Sequence, residues 1–200
     1  FAQDRCSVKF MQEIGFRHWG YENFQGEELL SLIFTLNSKS GFRTIAEQLE
    51  IPIPYGFFCG SHNQLVQAIE KDSKLRHKAM IKFDRSSNGY GNTIFDRATW
   101  QPLTTNEILL RRSMVWPEQN TEFVLEEHLD IIGSPSVELS IESDSVRVLY
   151  NCDQRCINNS WRGMVAPPPK VPFELMEERE PHALCCGQLV QSAGYRGICD

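Results

Sequence analysis

The stretch 80–92, MIKFDRSSNGYGN, limits what this chain can fold into more than any other. Ala79, Ile81 and Phe83 alternate with Met80 and Lys82, the period of a strand with one buried face, and this predicts a strand over 78–84. Ser86, Ser87, Asn88, Gly89, Tyr90 and Gly91 follow, and the next segment, 93–96, again reads as strand. A loop of this kind between two strands is a flap. In a Walker loop the lysine comes after the glycines and a helix comes next. Here the order is reversed, which excludes that architecture. Glycines and small hydroxyl residues let backbone N–H groups approach phosphate oxygens, and a lysine on the adjoining strand adds a compact charge. The same composition also suits an ordinary polar hairpin with a solvated lysine.

Around this loop the pattern alternates between helix and strand. Apolar spacing predicts a helix over 27–36, and Asn37 or Ser38 is placed to cap a second helix running to about residue 49. Pro52 and Pro54 force an extended stretch leading to a strand over 55–59. Ser61 with Gln64 has the spacing of a capping box and opens a helix expected to reach about residue 74. Thr104 or Thr105 is placed to cap a further helix ending before Pro117. Residues 122–129 read as a central strand, and 137–141 with 146–150 as a hairpin that 155–162 extends. The prolines at 167–169 demand loop. A helix over 174–192 carries Pro181, which kinks or restarts it, and 194–197 turns into a last strand.

With a formal charge of −6 a nucleic-acid-binding surface would have to be a local patch, and no apolar run approaches the roughly 18 residues of a membrane span. Seven cysteines, an odd number without paired zinc spacing, read as free thiols of a reducing, cytoplasmic setting. His62 and His77 read as surface residues. The chain begins with Phe1 and stops at Asp200 directly after an apolar, glycine-bearing run, and reads as a fragment.

Four ordered motifs resemble the ATP-grasp superfamily of ATP-dependent carboxylate–amine ligases, over about 37–200. They are Asn37-Ser38-Lys39 ahead of Ile51-Pro52-Ile53-Pro54-Tyr55-Gly56, Lys82 with Ser86-Ser87-Asn88-Gly89-Tyr90-Gly91, Val124-Leu125-Glu126-Glu127-His128-Leu129, and Gly194-Tyr195-Arg196-Gly197. The resemblance implies an α+β, ATP-grasp fold: two α+β lobes with the nucleotide between them. Residues 1–38 would be the tail of a preceding domain, 39–120 the N-terminal lobe with the flap, and 121–200 a truncated C-terminal lobe.

By the same resemblance, Lys39 and Lys82 would hold the α- and β-phosphates of ATP. The flap backbone at Ser86, Ser87, Asn88, Gly89, Tyr90 and Gly91 would cover the β- and γ-phosphates. The hinge at Glu126, Glu127, His128 and Leu129 would read adenine and ribose, with strand alternation letting only one glutamate face the nucleotide. Arg196 would act catalytically on an acyl phosphate or carboxylate, with packing over its turn as the alternative, and Arg162, beside Trp161 ahead of the proline loop, is read from its neighbours as a substrate-binding residue. The second ribose acid common in the family is missing from 133–137, where Ser136 stands instead. The family's magnesium ligands, an acid and then Glu-x-Asn, would fall at or beyond Asp200, so no metal ligand is assigned. The implied reaction is ATP-dependent activation of a small carboxylate for attack by an amine, with Mg2+ as cofactor, no nucleic-acid or membrane partner, and a homodimer as an option. A nucleotide-binding module without catalysis, or an interaction domain, stays open as an alternative.

Overall fold

The computed structural model describes residues 6, 9–10, 13–15, 26–75, 78–87, 89–96, 98, 122–157, 160–168 and 173–200. The helix expected after Thr104 and the side chain of His77 lie outside them.

Helix α1 (Gly26–Leu36) runs into α2 (Lys39–Gln48), which Ser38 caps: its hydroxyl accepts from the Gly41 N–H at 3.0 Å. Gly41 is required here, because a Cβ would stand 1.9 Å from the Thr35 carbonyl oxygen of the preceding helix. Strand β1 (Gly56–Cys59) leads to α3 (His62–Lys71). Ser61 accepts from the Gln64 N–H at 3.3 Å, while the Gln64 side chain reaches back to the Gly60 N–H at 2.8 Å, one residue beyond a true capping box. This helix stops short of the expected residue 74. The Asp72 carboxylate accepts from the Lys74 and Leu75 N–H groups, and this local turn replaces the next helical turn.

Strands β2 (Lys78–Phe83), β3 (Thr93–Asp96) and β4 (Phe123–Glu127) join β1 in one antiparallel sheet, order β1-β4-β2-β3. The alternation in β2 is realised: Ala79, Ile81 and Phe83 are buried in a core with Leu65, Ile69, Leu75, Phe95, Phe123 and Leu125. Met80, Lys82, Val124 and Glu126 take the opposite face. β4 lies between β1 and β2 in this sheet, pairing with both.

The second sheet contains β5 (Pro135–Ile141), β6 (Val146–Ile157), β7 (Ser160–Val165) and β8 (Gly197–Cys199), in the order β7-β6-β5-β8. The β5–β6 hairpin turns where the sequence placed it, but β6 is one long strand that takes in much of the segment read as an extension. Helix α4 (Phe173–Ser192) covers one face, continuing through Pro181 and packing Ala183, Leu184 and Val190 on Val137, Leu139 and Ile141. No helix among the described residues is long and apolar enough to cross a membrane, and all seven cysteines are free thiols.

Candidate functional site

A cleft of about 430 Å³ opens beside the polar face of the first sheet, lined among others by Lys39, Arg43, Pro54, Lys82, Ser86 and Glu126, with Asp200 at its edge. Local structure explains how each arrives. Ser38 starts α2 so that Lys39 and Arg43, one helical turn apart, share a face. Strand alternation turns Lys82 and Glu126 to the cleft side of adjacent strands. The loop after β2 brings Ser86 to Lys39, whose ammonium donates to the Ser86 carbonyl at 2.8 Å and hydroxyl at 2.9 Å.

Behind these groups lies a buried ion network. Arg43, 8% exposed, donates to Glu126 Oε1 at 2.9 Å, and Lys82 donates to Glu126 Oε2. Both carboxylate oxygens therefore hold a cation, as a largely buried carboxylate requires. Asp84, 2% exposed, accepts from the Ser40 N–H at 2.7 Å through Oδ1, and its carbonyl accepts from the Lys39 N–H at 3.0 Å. It thus satisfies the open donors of the α2 N-terminus and fixes that helix to the end of β2. Burial first, then the Lys82 charge, push the Lys39 ammonium below its usual value; Asp84 and Glu126 oppose this. Two ammonium groups from distant parts of the chain thus line one cleft, whose lining carboxylates are Asp200 and Glu126, the latter already paired with Lys82 and Arg43; the pair of ammonium groups suits an anion.

The loop itself is tightly turned. Tyr90 N–H donates to the Ser87 carbonyl at 2.9 Å and Asn92 N–H to the Gly89 carbonyl at 3.1 Å. Gly89 and Gly91 both have φ of 74°, and a Cβ on Gly91 would stand 1.9 Å from the Phe83 ring. Asn88 lies outside the described residues.

The remaining expected residues divide. Glu127 turns away from Glu126 and accepts from the Tyr55 N–H at 3.0 Å, so only Glu126 lines the cleft. His128 continues the strand through its N–H to the Lys78 carbonyl, and Leu129 follows, half exposed. Arg196 donates to the carbonyls of Gln191 at 2.8 Å and Tyr195 at 2.6 Å, closing the end of α4, and lines neither this cleft nor the larger one beside it. Arg162 is exposed on β7, the edge strand farthest from β8, and is not brought to the cleft. Ser136 lines the larger cavity, of about 690 Å³, which adjoins the first at Leu36, Asn37, Phe42 and Asp200. Arg43 and Asp84 were not singled out from the sequence. The spacing of Lys39 and Arg43 carries a signal for the first; nothing in an aspartate at a strand end marks the second.

The described residues contain no group of three or more His, Cys, Asp or Glu side chains able to hold a metal. Magnesium requires several hard oxygen ligands; in the cleft only Asp200 and the already paired Glu126 supply carboxylates. These residues do not by themselves form a magnesium site.

Solved structures of similar shape decide the fold. The biotin carboxylase domain dimer of Hydrogenobacter thermophilus 2-oxoglutarate carboxylase, with MgADP, ADP and bicarbonate, has a TM-score of 0.73 at 13% identity, covering 98% of this chain and 41% of that one. N5-carboxyaminoimidazole ribonucleotide synthetase in its ADP complex gives 0.66 at 16% identity, covering 94% and 45%. This chain has the ATP-grasp fold. Thermotoga maritima phosphoribosylamine–glycine ligase shares the ATP-grasp architecture at TM-score 0.62 and 16% identity, covering 84% of this chain and 44% of that one. The chain spans less than half the length of these structures. No protein-family profile and no curated protein matches the sequence.

Proposed function

We propose that the chain binds ATP between its two sheets as part of an ATP-dependent ligase that activates a small carboxylate for attack by an amine. One observation carries the nucleotide-binding part: Lys39 and Lys82 line the same cleft, with the glycine loop anchored to it through Ser86. Lys39 and Lys82 would hold the α- and β-phosphates, and the N–H groups of the 86–91 loop would cover the outer phosphates. The chain at Glu126–Leu129 would offer the edge of adenine one donor and one acceptor. Positioning and neutralisation of phosphate charge would be this chain's part in the reaction.

The ligase part draws support from the shared ATP-grasp fold and from the nucleotides named in the similar structures. Arg196 remains the candidate for the acyl phosphate only if it leaves its carbonyl partners, and Arg162 only if a substrate reaches β7. A soluble, cytoplasmic setting with small-molecule partners completes the reading.

The test is thermal denaturation with and without MgATP. At about 100 times its Kd a bound ligand adds roughly 2.7 kcal/mol, which at this chain length raises Tm by roughly 5–10 °C. No shift would remove nucleotide binding. ADP release in the presence of amino acids and other small carboxylates, by the full-length protein, tests the ligase step.

A further inference from the structure

Glu126 is held from two sides, by Arg43 and by Lys82, and both partners line the cleft. Arg43 reaches it from α2 and also donates to the carbonyls of Pro54 at 3.1 Å and Gly56 at 3.2 Å. One guanidinium therefore joins the helix that carries Lys39, the chain entering β1, and the carboxylate on β4. Its fork is planar and preorganised, and with Glu126 Oε1 fixed, Oε2 is aimed at Lys82.

We infer that Arg43 is a positioning residue of the nucleotide site, fixing the Glu126 carboxylate so that it holds the Lys82 ammonium where a phosphate oxygen can take it. This rests on the nucleotide-binding reading above. Without Arg43, Glu126 Oε1 loses its cation, and the carboxylate is free to turn toward the cleft. There it would compete with phosphate for both lysines. Arg43 also lines the cleft, but its guanidinium is taken up by Glu126 and the Pro54 and Gly56 carbonyls, so its role is assigned through Glu126 and not through a contact with the nucleotide.

The test compares Arg43→Gln and Arg43→Lys with the unmodified sequence, in two measurements. The first is calorimetric affinity for MgADP and for adenosine. Arg43→Gln should weaken MgADP about tenfold and leave adenosine within twofold, because adenosine has no phosphate. Arg43→Lys, which keeps the charge but not the fork, should fall between, and it carries the test if the glutamine variant does not fold. A general loss of packing would weaken both ligands alike, and that outcome overturns the inference.

The second measurement uses no nucleotide. Acylation of Lys82 by a water-soluble amine reagent, followed by mass spectrometry, should run several-fold slower in Arg43→Gln, because a Glu126 carboxylate no longer shared with Arg43 pairs more closely with the ammonium groups, with Lys71, outside the cleft, as the unchanged reference. An unchanged or faster Lys82 rate overturns the positioning role. If the unmodified protein binds neither MgADP nor adenosine, the nucleotide reading fails, while the acylation rates still decide whether Arg43 positions Lys82 through Glu126.

Discussion

The Lys39 ammonium donates to both the carbonyl and the hydroxyl oxygen of Ser86, at 2.8 and 2.9 Å, and so ties the start of α2 to the base of the glycine loop. An ammonium that would hold phosphate is also the latch of the loop that would cover it. The two roles compete, so loop position and phosphate binding are coupled at one atom.

Removing the hydroxyl tests this coupling. Ser86→Ala deletes one acceptor of a half-buried ammonium and should lower the stability of the empty protein by about 1 kcal/mol. A bound phosphate would replace the missing acceptor, so MgATP should raise Tm by more in the variant than in the unmodified protein. If the Ser86 hydroxyl instead contacts phosphate directly, the rise becomes smaller. The sign of the change, read by thermal denaturation, separates the two roles.

Lys39 also carries a pH signature. Its folded-state value is lowered from 10.5 by burial and by Lys82. Between that lowered value and 10.5 the unfolded chain binds more protons at this site than the folded one, so stability contributed here rises with pH. Below the window both states carry the proton and the contribution is constant. Urea unfolding of the unmodified protein and of Lys39→Met, followed into alkaline solution, should show the unmodified protein gaining relative to the variant across the window. A constant difference would mean that Lys39 is not perturbed.

Gly91 is the position where the loop touches the core. It combines φ of 74° with a hypothetical Cβ 1.9 Å from the ring of Phe83, which is 2% exposed. Gly91→Ala must move the loop or the ring and should cost about 1–3 kcal/mol. Gly133, with nothing within 4 Å of the added carbon, is the control, and Gly133→Ala should stay within about 0.5 kcal/mol. Equal effects in urea unfolding would show that the loop does not rest on Phe83.

The sequence revealed features set by local period and local caps. The alternation of 79–83, the Ser38 and Ser61 caps and the hairpin around 142–145 depend on neighbours within a few residues, and the folded chain keeps them. What it did not reveal depends on distant pairing. Arg43 meets Glu126 from 83 positions away, and Asp84 meets Ser40 from 44. The place of β4 between β1 and β2 is likewise a long-range choice that no local signal records. Arg196 looked available for chemistry because an arginine after a helix gives no sign that the helix end will take its donors.

The cysteines give a prediction independent of any ligand. Burial, followed by the charges of Asp200 and Glu138 and the nearby Cys186, pushes the Cys199 thiol up to about 11. Near pH 8 its thiolate fraction is then about one in a thousand, and the thiolate is the reacting form. Cys156 and Cys185 are exposed, whereas Cys59 and Cys152 are buried with their thiols also pushed up. Timed alkylation followed by mass spectrometry should therefore label Cys156 and Cys185 first and Cys199 much later. Glu138→Gln removes one of the charges that raise Cys199 and should speed its labelling, leaving Cys156 unchanged as the internal reference. Fast labelling of Cys199 in the folded, unmodified protein would show that β8 does not pack against β5 as the Leu139–Cys199 register requires.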